Sequence, residues 1–165
     1  MRTWWVVANE REGWHWNRFF RSAGRDLRGV DKWGGPGWIK SSRSLVHADE
    51  MRKGDLVVAY QAREGVRGFA WLASDGYVEG GSGRANKFDI GYRGAVPLET
   101  PVPIRAVKQL PDARENFEFV PFHNGTVFSV SSAGRVQLGL LAAAFNPGRI
   151  GSRCITLALS RRGPG

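Results

Sequence analysis

Residues 56–74 read "LVVAYQAREGVRGFAWLAS", two apolar runs joined by the polar "REG". Both runs are rich in β-branched and aromatic residues, which suit the pleated surface of a sheet. A short polar connection turns the chain back on itself, so the stretch predicts two antiparallel strands, the second continuing toward "DGYV" at 75–78. A mid-chain antiparallel pair without a crossover helix argues against a βαβ nucleotide-binding fold and for an α+β domain.

The flanking segments extend this reading in both directions. "TWWVVAN" (3–9) predicts a buried first strand, and "WHWNRFFRSAG" (14–24) a short helix with Trp16, Phe19 and Phe20 at helical spacing and Gly24 past its end. Residues 24–37 hold five glycines and one proline and read as a loop. "LVHADEMRKGD" (45–55) is a helical turn closed by Lys-Gly-Asp, and "EGGSGRAN" (79–86) is a second glycine loop. "KFDIGYRGAVPLETPVPI" (87–104) predicts one or two strands, its prolines belonging to strand ends or edges. "TVFSVS" (126–131) is a strand, and "SAGRVQLGLLAAAF" (132–145) a helix capped by Ser131 or Ser132, with Val136, Leu140 and Ala144 along one face. "NPG" stops that helix, and "RCITLALS" (153–160) is a last strand or an ordered tail. The expected organisation is one domain over 1–146 and a C-terminal extension over 147–165, a candidate edge strand followed by a disordered tail.

Of the 165 residues, 24 are Lys or Arg against 15 Asp or Glu, a net charge of +9. Such an excess attracts polyanions, of which nucleic acid is the commonest in a cytoplasm. The terminal "SRRGPG" holds only two of those charges and does not explain the imbalance. No apolar run reaches the ~18 residues that span a bilayer, and a single cysteine, Cys154, suits a reducing cytoplasm.

Catalytic signatures are scarce. His15, His47 and His123 lack metal-ligand spacing, and neither phosphate-binding glycine motif occurs. "GGSGR" is only a loose glycine loop. Glu79, Asp89 and Glu99 offer carboxylates of the kind any chain this size contains. No catalytic residue, metal or cofactor is assigned. What stands out is seven tryptophans among basic residues. Trp71 and one of Trp4 and Trp5 belong to strand cores. Trp33 and Trp38 fall in the first glycine loop, and Tyr77 and Phe88 flank the second. Beside Trp38 stand Lys40, Ser41, Ser42 and Arg43, groups that hold phosphate oxygens. The alternative for Trp38 is that it folds back to cover the core.

The succession "WWVVAN", "GWIKSSRSLVHADEMRKGDLVVAYQAREGVRGFAWLAS", "NKFDIGY", "VPLETPVPI" and "GTVFSVSSAGRVQLGLLAAAF", over residues 4–145, resembles the PUA-like superfamily, specifically the EVE domains and their YTH relatives. The resemblance implies a small curved mixed β-barrel with two or three flanking helices. It also implies a non-catalytic module that takes a methylated adenine or modified cytosine, flipped from its strand, into an aromatic cage. Trp38 matches the cage tryptophan, and Asn9 falls where a side chain reads the base edge, with Glu10 the candidate one residue on. Trp33, Tyr77 and Phe88 would supply further walls. Lys40, Ser41, Ser42, Arg43, Arg84 and Lys87 would follow the strand's phosphates. The chain reads "ANER" where EVE domains usually carry "KSEP", and its second glycine loop lacks the tryptophans of YTH domains. The implied partners are DNA or RNA with a modified base and a nuclease or restriction-system protein, without a membrane. The competing reading is an RNA-binding or RNA- or nucleoside-acting PUA-like protein with no modified-base specificity.

Overall fold

The computed structural model describes residues 1–23, 29–34, 42–78, 86–122 and 124–160. Its strands are β1 (Thr3–Ala8), β2 (Val30–Gly34), β3 (Leu56–Gln61), β4 (Gly65–Leu72), β5 (Tyr77–Val78), β6 (Asn86–Val102) and β7 (Val127–Val130). Its helices are α1 (Trp16–Ala23), α2 (Ser42–Glu50), α3 (Ile104–Lys108), α4 (Ala113–Asn116), α5 (Ser132–Phe145) and α6 (Arg149–Leu159), with a 3₁₀ turn at Glu10–Glu12. Six helices among the described residues thus replace the two or three expected.

The strands form one mixed sheet in the order β2-β6-β4-β3-β1-β7, with β5 also on β6. The hairpin at 56–72 is β3 against β4, running from Leu56↔Trp71 to Gln61↔Gly65. β1 lies parallel to β3 and antiparallel to β7. Both faces of the sheet are buried, which explains why its strands read as apolar runs. Trp4, Val6 and Ala8 face one core with α1 and α2, while Trp5, Val58, Phe69 and Trp71 face another with α5 and α6. Trp4 and Trp5 are therefore both core residues, on opposite sides.

The expected "one or two" strands after the second glycine loop are one strand of 17 residues. β6 bulges twice against β4, with Pro101 inside the first irregularity and Pro97 at its edge, opposite Gly68. Val66 pairs with Val102 but Gly68 with Pro97, and Phe69 pairs with Val96 but Trp71 with Gly91, so two steps along β4 are twice matched by five along β6. Extra residues in one strand bend it and raise its twist, which curls the sheet.

The segment read as a candidate edge strand is helix α6, packed on α5. Its buried residues are Gly151, Cys154 and Ala158. A Cβ built on Gly139 of α5 would stand 2.1 Å from the Ala158 Cβ, so only glycine admits α6 this closely. Asn146, which caps α5, turns its amide onto β6: Oδ1 accepts from the Thr100 N–H (2.8 Å) and Nδ2 donates to the Thr100 carbonyl (2.9 Å). No helix among the described residues is long and apolar enough to cross a membrane.

Gly139→Val forces the two helices apart. We expect about 1–3 kcal/mol of lost stability, read as a lower denaturant midpoint.

Candidate nucleic-acid interface

Both glycine-rich segments join the sheet at neighbouring strand ends. Lys87, near the start of β6, pairs with Gly34 at the end of β2 on one side and with Tyr77 in β5 on the other. Residues 35–41, with Trp38, Lys40 and Ser41, follow Gly34, and residues 79–85, with Arg84, lead into β6; these candidates lie outside the described residues, as does His123. For Ser42, Arg43, Tyr77 and Lys87 the backbone is described: the first two open α2, and the other two pair across β5 and β6.

Trp33 and Phe88 sit differently from expectation. Trp33 belongs to β2 rather than to a glycine loop, and it lies directly opposite Phe88. Their rings stack at 5.0 Å and 14°, and both residues are 0% exposed. Neither offers a ring face to solvent; they form core beneath the strand ends that carry the loops. β-branched and aromatic residues favour such cross-strand pairing, and the surrounding glycines disguised it.

Helix α2, whose first turn holds Ser42 and Arg43, is fixed by two side chains that the sequence did not single out. Buried Ser44 donates from Oγ to the Val127 carbonyl (3.2 Å) and accepts the Thr126 and Val127 N–H groups. His47 lies 2.6 Å from Glu118 through Nε2. The same Glu118 oxygen accepts the Ser129 N–H (2.7 Å) and hydroxyl (2.9 Å). Burial alone would raise the Glu118 pKa, but the Ser129 bonds and His47 outweigh it and hold the carboxyl below its usual value. An ionised carboxylate accepts only, so His47 donates to it from Nε2.

Asn9 ends β1 and is exposed, yet its Oδ1 accepts the Arg11 N–H (3.1 Å), capping the 3₁₀ turn. Its amide nitrogen remains to donate. The turn leads to half-buried Trp14, whose indole N–H donates to the Lys32 carbonyl (3.2 Å) in β2. A cleft of about 350 Å³ opens there, between Glu10, Trp14, Arg18 and Arg21.

Nothing in the described residues assembles a metal centre. Cys154 is buried, and burial pushes its thiol up to about 11 against a smaller opposing effect of Arg153, so it stays protonated and unreactive.

The chain matches no protein-family profile and no curated protein sequence. Its fold is shared by several solved structures. Protein Atu2648 of Agrobacterium tumefaciens superposes over 100% of both chains, with a TM-score of 0.69 and 18% identity. Rpa0253 of Rhodopseudomonas palustris is 23% identical over 88% of this chain and 93% of its own, with a TM-score of 0.65. Human THYN1, solved in complex with 5-methylcytosine-containing DNA, is 10% identical over 90% of this chain and 99% of its own, with a TM-score of 0.61. At these identities the likeness is one of fold.

The Glu118 anchor carries a pH signature. A depressed folded-state pKa means its contribution is present above the ordinary value of 4.5 and lost as the pH falls through the folded one. Glu118→Gln should therefore lower stability by about 1 kcal/mol at neutral pH, the difference between charged and neutral hydrogen bonds. The gap to wild type should close below pH 4.5 in urea titrations.

Proposed function

We propose that this protein binds nucleic acid and recognises a modified base, a methylated adenine or modified cytosine, flipped into an aromatic pocket. One observation carries the reading: the chain shares its fold, over 90% of its length, with a human protein solved on 5-methylcytosine-containing DNA. A net charge of +9 and the common origin of both glycine-rich segments at Lys87 are consistent with it.

In this reading Trp38 stacks on the flipped base, with Tyr77 as a second wall and the Trp33–Phe88 pair as the buried floor that holds the strand ends in place. Asn9 donates from its amide nitrogen to the base edge, its oxygen being engaged by Arg11. Lys40, Ser41, Ser42, Arg43, Arg84 and Lys87 follow the phosphates, and the anchors of α2 set the angle at which Ser42 and Arg43 meet them. A nuclease or restriction-system protein is the partner such a reader would serve.

Mobility-shift titrations with modified and unmodified oligonucleotides test this. Trp38→Ala should weaken the modified strand by about ten- to hundredfold, the scale of one aromatic stack, and the unmodified strand much less. Equal binding of both strands by wild type would leave only a general nucleic-acid-binding protein.

Charge gives a second measurement. Each neutralised phosphate of a single strand contributes about −0.7 to the slope of log K against log salt, so Lys40, Arg43, Arg84 and Lys87 together predict a slope near −3. A flat response would contradict any nucleic-acid reading.

A further inference from the structure

The cleft beside Asn9 combines three chemistries. Trp14 is held in one orientation: its N–H is tied to the Lys32 carbonyl, and its ring meets Trp16 edge-on at 4.5 Å and 83°. The exposed part of the ring is thus a fixed platform. Arg18 and Arg21, one turn apart on α1, are both exposed on the rim. Arg21 leans on the Asn17 carbonyl (3.3 Å), and neither arginine pairs with a carboxylate among the described residues. The Glu64 carboxylate is already engaged by His15 and Arg67. Glu10 also lines the cleft, bringing an acceptor to the same space as the arginines.

We propose that this cleft is a second subsite, holding the nucleotide adjoining the modified one. The inference rests on the modified-base reading above. The base lies on Trp14, and the phosphate goes to Arg18 and Arg21, where charge attracts it, and away from Glu10, which repels it. A volume of about 350 Å³ fits one nucleotide and is too small for a folded partner. Position agrees: Lys32, which Trp14 grips, is two residues before Gly34, about 7 Å at the rise of a strand, and Gly34 opens the segment bearing Trp38. Asn9, the proposed base-edge reader, adjoins Glu10 of the cleft, so neighbouring nucleotides of one strand can reach Asn9 and Trp14. Glu10 accepts hydrogen bonds and cannot donate them when ionised, so it favours a protruding exocyclic amino group over the N3–H of thymine or uracil, which stands between two carbonyl oxygens that repel a carboxylate.

The test uses DNA and RNA trimers with 5-methylcytosine or N6-methyladenine at the centre, flanked by adenines, by thymines or uracils, or by abasic sites. We expect wild type to prefer adenine flanks, and Glu10→Ala to lose that preference. Trp14→Ala should weaken the adenine-flanked trimer about ten- to hundredfold and leave the abasic-flanked trimer unchanged. A merely structural role for Trp14 would weaken both equally, which overturns the proposal. Arg18→Glu/Arg21→Glu, on an exposed face, should weaken all trimers and flatten the salt slope; wild-type binding by this variant would also overturn it. If wild type ignores the central modification, the modified-base reading falls. The flank and Trp14 comparisons, made on the tightest trimer, then still decide the subsite.

Discussion

A single carboxylate sets the frame. Asp55 is 5% exposed and accepts the Arg2 N–H (2.8 Å), the Trp4 indole N–H (2.9 Å) and the Arg52 N–H (3.1 Å). Its carbonyl accepts the Leu72 N–H as well. One residue thereby ties the start of β1, the turn before β3 and the end of β4. A buried charge is tolerated when donors are aimed at it, and these donors fix Thr3 opposite Leu56 in the parallel pair. A slip of one residue would send Trp4 and Trp5 to each other's faces. Each core then holds an indole placed to fit the other, so the packing of both faces depends on this register.

Local signals were legible in the sequence and distant ones were not. The hairpin at 56–72 and the serine cap of α5, read as Ser131 or Ser132 and found at Ser131, were legible from residues within one turn or strand of each other. The parallel β1–β3 pairing has no such local trace. In α6, read as a last strand or an ordered tail, Ile155 and Leu159 face outward. The face that packs is made of Gly151, Cys154 and Ala158, at helical spacing but too small to register as an apolar stripe. Prolines at 97 and 101 suggested strand ends or edges, because the irregular pairing around them arises only when β6 meets β4.

The candidate site divides along the same line. Trp38 and its basic neighbours are conspicuous in sequence because composition alone marks them. Ser44 and His47 are not, since their partners lie 83 and 71 residues away and appear only once α2 docks on β7 and Glu118. Trp14 looked like one aromatic among several. Its distinction comes from Lys32, whose carbonyl turns it from core filler into an oriented surface at the edge of a cleft.

The amide of Asn146 has a consequence beyond ending α5. By offering an oxygen and a nitrogen to Thr100, it imitates one residue of an adjoining strand and satisfies both backbone groups of that residue. Strand flanks with unpaired N–H and C=O groups recruit other chains. With both groups taken by a side chain posing as backbone, Thr100 offers no foothold to the strand of another copy.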